Sequence, residues 1–383
     1  MKVLIVSPHY PPYKGGVSDH VWQQSKRLAE LGHEITVWCQ GPGETPHQNI
    51  LRQDIPWPFN PQSVSEKLVG LSFDAIIVHF TPLSFSPKKW GINLLLFRAI
   101  QTLKTYCDNH LSLMVHEANY PFNLTLRGLV LGPLHLFQFF VLVNFCPIVL
   151  LSHQALLDRW RRLLPWSRKK FHLLPVGSNF EISNYHLASR EELAKRYNLP
   201  IDAYWMLYFG GSHQSILFDF IIEALKRVDY GLKEKKAILI TIGDNQSCFE
   251  RLSPALKDNY FPLGRLEAEE LCGLVSKAEL CLVPYIDGVS TRRGSIMVPF
   301  SLGTPLLTTT SYGTKKDVPW HKICALTPAY SISNFADRAL ELAQSPEQAK
   351  KLGAEGKDYF ENHLAAKPLT AKLTGYLFSN LDG

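Results

Sequence analysis

The sequence predicts an α/β protein made of two Rossmann-like domains that face each other across a cleft. Two series of short apolar strands alternate with amphipathic helices along the 383 residues, and a polar stretch without periodicity, residues 175–188, separates the two series. Continuously apolar strands are typical of parallel sheets covered by helices on both faces. We therefore expect domains at 1–178 and 179–360, with a C-terminal helix in 361–383 that packs back on the first domain.

The opening forty residues contain the βαβ unit with which the first sheet begins. A strand at 2–7 leads through a loop rich in Pro and Gly into an amphipathic helix and a second strand. Gly15 and Gly16 precede the helix, and Ser18 or Asp19 is its expected N-cap. The free N–H groups of such a helix start suit a phosphate, although the spacing is not GxGxxG. The alternative, that the glycines only form the turn, is equally favoured by these residues alone.

The remaining elements follow from apolar runs and from helical periodicity. Further strands are predicted at 73–80, 111–117, 148–152, 171–176, 205–211, 237–243, 280–285 and 305–310. Helices are predicted at 216–228, 267–278 and 294–302, and the last fifty residues are expected to be helical, with Ser333 and Ser345 as caps.

Composition places the chain among folded globular proteins. Hydrophobic residues make up 46% and charged residues 19%, with a net charge of +6. The seven cysteines are scattered, without CxxC or Cys/His ligand spacing, so we expect a reduced cytoplasmic protein without a zinc site. Met1 leads directly into a strand, and we therefore expect no signal peptide.

The region 129–170 is both apolar and basic. Residues 129–151 approach the length of a membrane span, but Pro, Gly and polar residues interrupt them, so we expect a helix followed by a short buried strand. Residues 159–170 alternate Arg and Lys with Trp, which fits either an anionic membrane surface or a solvated helix with a basic turn. Peripheral membrane contact through 120–170 therefore stays open. Nucleic-acid binding is disfavoured, because the cluster is short and no recognition module is visible.

Ligands of open α/β sheets bind where the parallel strands end. The loops at these ends are 8–17, 79–83, 116–120, 210–215 and 287–294. His116 ends a strand and could hydrogen-bond a substrate hydroxyl or transfer a proton; the alternative is a buried histidine with satisfied nitrogens. Arg292 and Arg293 stand at the start of a predicted helix, where two guanidiniums and free N–H groups would bind a phosphate. Surface arginines near a turn are the alternative.

Five segments, in order along the chain, carry a family resemblance. They are PPYKGGVSDHVWQQSKRLAELGHEITVW (11–38), VHE (115–117), YFGG (208–211), LGRLEAEELCGLVSKAELCLVPY (263–285) and SLGTPLLTT (301–309). Together they resemble the GT-B glycosyltransferases, specifically glycosyltransferase family 4. The resemblance implies a sugar-nucleotide donor held mainly by the C-terminal domain and a hydroxyl acceptor on the N-terminal domain. It also implies transfer with retention and without a metal, with which the absence of DxD agrees, and no cofactor besides the nucleotide-sugar co-substrate.

The resemblance also implies roles for particular residues. Gly15 and Gly16 would lie against the donor diphosphate, and His116 would contact the transferred sugar. Backbone groups of 264–266 would line the nucleobase pocket. The donor-binding residues expected in this way and from the loops above are Gly15, Gly16, Val17, Gly211, Ser212, His213, Gly264, Arg265, Leu266, Gly288, Val289, Ser290, Thr291, Arg292 and Arg293.

The chain differs from the family at the residues that normally bind the diphosphate. An Arg and a Lys normally follow the YFGG-like strand, and here Gly211 and Ile216 occupy those places. The family's two acids, eight residues apart, are also absent, with Ser290 and Val298 in their positions.

We hypothesise that Arg292 and Arg293 replace the lost cations, while Asp287 supplies the acid as a catalytic residue beside His116. A noncatalytic GT-B-like subunit and a sugar-nucleotide epimerase are the alternatives.

Overall fold

The structure is a computed structural model. It describes all residues except 14, 42, 44–46, 87–89, 108–109, 120–124, 179–184, 251 and 379–383. It divides into two compact units: the first is Met1–Pro175 with Leu369–Gly383, and the second is Val176–Pro368. Part of the stretch interpreted as a linker, residues 179–184, lies outside the described residues. Each unit is built on its own parallel sheet covered by helices, so the predicted α/β class with two Rossmann-like units is confirmed.

In the described part of the first unit, seven parallel strands pair in the order β3-β2-β1-β4-β5-β6-β7. The strands are β1 (Lys2–Val6), β2 (Glu34–Cys39), β3 (Ile50–Asp54), β4 (Ala75–Phe80), β5 (Leu111–Val115), β6 (Ile148–Leu151) and β7 (Phe171–Leu173). The helices are α1 (Gly16–Glu30), α2 (Pro61–Leu68), α3 (Leu96–Thr105), α4 (Leu126–Phe145) and α5 (Gln154–Leu163), with a 3₁₀ turn at Pro165–Lys170.

The described part of the second unit has six parallel strands in the order β10-β9-β8-β11-β12-β13. They are β8 (Tyr204–Phe209), β9 (Ala237–Ile242), β10 (Tyr260–Gly264), β11 (Leu280–Val283), β12 (Leu306–Thr310) and β13 (Ala325–Pro328). The helices are α6 (Arg190–Tyr197), α7 (Phe218–Gly231), α8 (Ala268–Lys277), α9 (Gly294–Leu302), α10 (Trp320–Ile323), α11 (Ile332–Gln344) and α12 (Pro346–Tyr359), which continues as a π turn (Phe360–Leu364). Two 3₁₀ turns occupy Gln246–Phe249 and Pro254–Asn259, and α13 (Ala366–Phe378) ends the described chain.

The central strands of both sheets are buried along their whole length. Every residue of β4 (AIIVHF) and of β8 (YWMLYF) is buried, because helices cover both faces of each sheet. Each Ile, Leu or Phe buried in this way stabilises its unit by roughly 1.5–3 kcal/mol. The apolar runs predicted as strands are therefore strands, with ends that differ from the predicted ones by up to three residues.

The strands that the sequence did not predict lie at sheet edges. β3 reads ILRQD, with only its first residue buried, and β10 carries Pro262, whose missing N–H an edge strand tolerates. Edge strands need no continuous apolar run, so their sequences resemble loops. β13 occupies the edge beyond β12, and α2 is a short helix that packs on α3.

The predicted cap of α1 was wrong. The helix begins at Gly16 with Gly15 as its N-cap, and Ser18 lies buried inside the first turn. The first helical hydrogen bond forms before Ser18 could cap the helix, since Asp19 N donates to Gly15 O at 3.0 Å. The cap of α11 is likewise Ser331 rather than Ser333, and its side chain accepts from Asn334 N. Ser345 does precede α12 but makes no side-chain cap hydrogen bond.

The C-terminal helix α13 belongs to the first unit from Leu369 onward. Leu373 and Leu377 are buried in a core cluster of that unit, and Tyr376 Oη donates to Leu173 O at 3.3 Å. The His110 ring bonds the carbonyl of Leu377 at 3.1 Å. The part of the chain that the structure describes therefore begins and ends in the same unit.

Candidate functional site

The loops after β8 and β11 lie side by side at the topological switch point of the second sheet, where the strand order reverses. Ile286 N donates to Ser215 O at 2.8 Å, and Leu217 N donates to the carbonyl of residue 284 at 3.0 Å. The structure thus brings together two loops that the sequence predicted separately, 210–215 and 287–294.

Asp287 binds both arginines of the second loop. Arg293 Nη2 donates to Asp287 Oδ1 at 2.6 Å, and Arg292 Nη2 donates to Oδ2. The side chains of Asp287 and Arg293 are 11% and 14% exposed, whereas that of Arg292 is 40% exposed. One carboxylate faces two guanidiniums, so the three side chains keep a net charge of about +1. The accessible part of that charge belongs to Arg292.

Arg293 is held from a second direction by the ring of Tyr285. The guanidinium carbon lies 4.3 Å from the ring centroid, a cation–π contact. Tyr285 Oη is hydrogen-bonded to Ser295, and burial raises the pKa of the Tyr285 phenol. Helix α9 begins at Gly294, so the arginine pair stands at the positive end of a helix.

The backbone of the loop is fastened to the end of β12. Gly288 has φ +81, and a Cβ at this position would lie 2.4 Å from Ser311 N. Gly313 N donates to Asp287 O, and Val289 N donates to Thr309 O, both at 2.9 Å. These contacts leave room only for glycine at position 288 and hold the carboxylate of Asp287 in place. The predicted donor residues Val289, Ser290 and Thr291 are buried, so their side chains support the loop from inside.

Three adjacent strands of the second sheet end in glycines with positive φ. These are Gly210 after β8, Gly243 after β9 and Gly264, the last residue of β10. Gly243 N donates to Gly264 O at 2.6 Å, and a Cβ on Gly243 would lie 2.6 Å from Gly210 O. The buried amide of Asn245 donates to Gly210 O at 2.7 Å. The strand ends therefore present backbone groups without side chains, a surface that a ligand can approach closely.

The other predicted donor residues of the second unit lie around these strand ends. Arg265 Nε donates to Asp244 Oδ2 at 2.7 Å, and both side chains are exposed. Leu266, which follows Arg265, is half-buried. Gly211, Ser212 and His213 are exposed, and the ring of His213 bonds Ser215 Oγ at 2.7 Å.

In the first unit, three histidines converge near the switch point between β1 and β4. His20 comes from α1, His79 from β4 and His116 from the end of β5. His79 Nδ1 lies 3.0 Å from His116 Nε2, and His79 Nε2 lies 2.8 Å from Gln24 Oε1. The ring of His20 stacks edgewise on both other rings, with centroid distances of 5.7 and 5.3 Å.

The hydrogen bonds determine the tautomers of the cluster. The amide oxygen of Gln24 only accepts, so the proton of neutral His79 is on Nε2 and its Nδ1 accepts from His116 Nε2–H. Burial first, and then the neighbouring histidines, hold the pKa values of His79 and His116 well below the ordinary value. Burial, with a smaller contribution from Arg27, lowers the pKa of His20 to about 4. All three imidazoles are therefore neutral at neutral pH, and His116 Nδ1 carries a lone pair.

Of these three histidines, only His116 was predicted from the sequence as a site residue. His20 and His79 escaped notice because they lie in separate elements, far apart in the chain. The position of His79 could have indicated a site, because it is the next-to-last residue of an otherwise apolar strand. Among the residues that the structure describes, these three histidines form one group that could hold a metal ion.

The predicted phosphate residues of the first unit lie at the start of α1. Gly15 and Gly16 are exposed, and Val17 is half-buried. Among the described residues, a Cβ on Gly16 would meet nothing within 4 Å, and one on Gly15 would meet only the ring of Tyr13, at 3.4 Å. The helix start is therefore open to a ligand.

Helix α4 presents an apolar surface. Among the described residues it is the helix that could cross a membrane by length and composition, and less than half of its apolar stretch is buried. Its exposed apolar side chains are Leu126, Leu129, Val130, Leu134, Phe137 and Phe140. The exposed Trp166 ring packs edgewise on Phe140, with centroids 6.1 Å apart. Arg168 and Lys169, also exposed, follow within three residues of that tryptophan.

Comparison with solved structures defines the class of fold. Sucrose-phosphate synthase from Thermosynechococcus elongatus is 14% identical, with a TM-score of 0.71 over 100% of this chain and 99% of that chain. HepE from Anabaena, solved with UDP and glucose, is 13% identical, with a TM-score of 0.69 over 99% and 100%. WaaG, a glycosyltransferase involved in lipopolysaccharide biosynthesis, is 16% identical, with a TM-score of 0.67 over 98% and 99%.

The chain thus has the GT-B fold over its whole length. No family model matches the chain, and no curated protein matches it.

Proposed function

We propose that the protein transfers a sugar from a nucleotide-sugar donor to a hydroxyl acceptor. The observation that carries the proposal is the Asp287–Arg292–Arg293 ion triad, which lies at the switch point of the second sheet and at the positive end of α9. The fold likeness supports it, since HepE was solved with UDP and glucose and WaaG is named a glycosyltransferase. The sequence motifs of the chain resemble the same class of enzyme.

The second unit binds the nucleotide part of the donor. The exposed Arg292 guanidinium and the first N–H groups of α9 bind the diphosphate, and Asp287 and Tyr285 hold Arg293 behind them. The glycine strand ends leave space for the base near Gly264 and Arg265. Positive charge held in place before the reaction stabilises the departing diphosphate, which is where negative charge develops in this chemistry.

The first unit contributes His116 to the proposed reaction. Its Nδ1 lone pair accepts a hydrogen bond from a sugar hydroxyl, while Gln24 and His79 hold the ring in the required tautomer. From the family resemblance, we propose that Gly15, Gly16 and Val17 also contact the donor. We further propose retention of configuration and a catalytic step without a metal.

We propose a membrane-associated hydroxyl acceptor. The exposed apolar face of α4 and the neighbouring Trp166, Arg168 and Lys169 combine an insertable surface with positive charge, as binding to an anionic lipid surface requires. The protein is then cytoplasmic and peripheral at the membrane.

A noncatalytic GT-B subunit is the second candidate. It is favoured by one observation: both oxygens of Asp287 are engaged by arginines, so the carboxylate is not free to act as an acid or base. Such a subunit would bind the nucleotide without turnover. An epimerase would instead return an altered sugar.

Incubation with UDP-, GDP- and ADP-sugars, with the products separated by chromatography, tests these alternatives. A transferase hydrolyses its donor slowly in the absence of an acceptor, an epimerase changes the sugar, and a noncatalytic subunit changes nothing. Arg292→Ala should weaken binding of the active nucleotide, whereas Arg338→Ala, which removes an arginine paired with Glu341 on α11, should not. If none of the nucleotides binds, the proposal fails.

A further inference from the structure

The histidine cluster of the first unit has the composition of a metal site. Three imidazoles from α1, β4 and the end of β5 each offer one nitrogen, and these nitrogens lie within 4.8 Å of one another. No zinc site was predicted from the sequence, because the chain has no CxxC and no Cys/His ligand spacing. The parallel strands bring these three residues together from separate parts of the chain.

The distances in the cluster are close to those of coordination. A zinc ion binds imidazole nitrogens at about 2.0–2.1 Å, which places two ligands of a tetrahedron about 3.3 Å apart. His79 Nδ1 and His116 Nε2 are 3.0 Å apart, so separating them by a few tenths of an ångström admits an ion. His20 lies in the second turn of α1, and its ring must move toward the other two.

Two further observations point to a ligand: a hydrogen bond of His79 and a buried nitrogen of His20 without a partner in the described part of the chain. His79 donates its Nε2 proton to Gln24 Oε1 at 2.8 Å, which leaves Nδ1 as a lone pair. A metal-binding histidine usually donates its second N–H to an oxygen acceptor in this way, which fixes its orientation. His20 Nε2 is buried and has no hydrogen-bond partner among the described residues. A buried polar nitrogen without a partner is costly, and a metal ion would satisfy it.

We propose that His20, His79 and His116 bind a divalent transition-metal ion, with zinc as the best fit. Three neutral imidazoles form the donor set that suits Zn²⁺, Co²⁺ or Ni²⁺, whereas Mg²⁺ and Ca²⁺ prefer oxygen ligands. Three protein ligands leave the fourth tetrahedral position for a water molecule or a substrate hydroxyl.

Metal binding changes the tautomer of His116. In the metal-free cluster, His116 donates from Nε2 to His79. Coordination through Nε2 moves that proton to Nδ1, so the ring then offers an N–H group where it offered a lone pair. No proton leaves the ring in this exchange. If His116 contacts a sugar hydroxyl as proposed above, the ion reverses the direction of that hydrogen bond, and bound metal should therefore inhibit transfer.

Metal titration of the full-length protein tests the site directly, without a sugar donor. The protein is treated with chelator, dialysed and titrated with Co²⁺, and the visible absorption of tetrahedral Co²⁺ is followed before displacement by Zn²⁺. We expect one equivalent per chain. The variants His20→Gln and His116→Gln should each weaken binding by about tenfold or more. The matched control His321→Gln, which removes an exposed histidine of α10 in the second unit, should bind as the wild type does.

Three results would overturn the proposal: no saturable Co²⁺ spectrum, a spectrum unchanged in both cluster variants, or equal loss in the His321 control. Thermal melts in chelator establish that each variant is folded. His20→Gln is the decisive variant, because its side chain is less enclosed than that of His79 and its removal is the less disruptive. Because the readout is metal binding, the proposed function can fail while this site stands, or the reverse.

Discussion

Substitution of two neighbouring arginines should affect two different properties, nucleotide binding and stability. Arg292→Ala should weaken nucleotide binding with little effect on stability, and Arg293→Ala should reduce the stability of the second unit. The difference follows from exposure, since the Arg292 side chain is 40% exposed and that of Arg293 only 14%. Both bind the same carboxylate, which makes them a matched pair.

The magnitudes follow from their surroundings. A solvent-exposed ion pair contributes about 0.2–1 kcal/mol, so loss of Arg292 should cost the fold less than about 1 kcal/mol. Removing one partner of a buried pair costs roughly 3–5 kcal/mol, and a cation–π contact adds about 0.5–2 kcal/mol. Asp287 keeps Arg292 as a partner in the Arg293 variant, so we expect about 2–4 kcal/mol there. A lost charged hydrogen bond to the diphosphate is worth about 1.5–3 kcal/mol, or roughly 10- to 150-fold in affinity.

Calorimetric titration with UDP, GDP and ADP, together with urea unfolding of both variants, measures the two effects. If Arg292→Ala destabilises the protein more than Arg293→Ala, the assignment of burial and charge is wrong. If nucleotide affinity is unchanged in Arg292→Ala, the charge-replacement hypothesis is wrong, whatever the stabilities.

The unfolding free energy should fall as pH decreases from about 6.5 toward 4, by up to about 1.4 kcal/mol per pH unit for each buried histidine, because the unfolded chain binds these protons first. The pKa of His20 is about 4 in the folded protein and about 6.5 in the unfolded chain. The stability that neutral His20 contributes is therefore fully present above pH 6.5 and is lost as the pH falls toward 4. His20→Gln should flatten this profile, measured by urea unfolding. Gly288→Ala should cost about 1–3 kcal/mol in thermal or urea unfolding, because of φ +81 and the 2.4 Å contact of its Cβ, whereas Gly294→Ala meets nothing within 4 Å and should be near neutral. Phe137→Glu should abolish flotation with anionic liposomes at low salt, whereas Tyr230→Glu, 90% exposed on α7, should float as the wild type does.

Each of these predictions has a contrary outcome. A pH profile unchanged by His20→Gln would mean that this histidine is accessible to protons in the folded state. Equal stabilities of the two glycine variants would contradict the close packing of the loop against residues 311–314. Flotation that persists in Phe137→Glu, or fails in the wild type, would remove α4 as a lipid-binding surface.

The local sequence was sufficient to predict the fold class and most of the central strands. Buried parallel strands need apolar side chains on both faces, so runs such as AIIVHF and AILITI are recognisable without any tertiary information. Loop positions followed from the strands, because all parallel strands end on one edge of their sheet. Edge strands such as ILRQD remained unpredicted, since half of their surface faces solvent.

The amino-acid sequence by itself determined which chemical groups stand at the strand ends, among them the glycines, His116, Asp287, Arg292 and Arg293. Only the tertiary structure decided how those groups pair. It joined Asp287 to both arginines and placed Arg293 on Tyr285, which leaves Arg292 as the accessible charge. It also added His20 and His79 to His116. The physical reason is that pairing and burial depend on distances between elements far apart in the chain, and local residue patterns do not encode those distances.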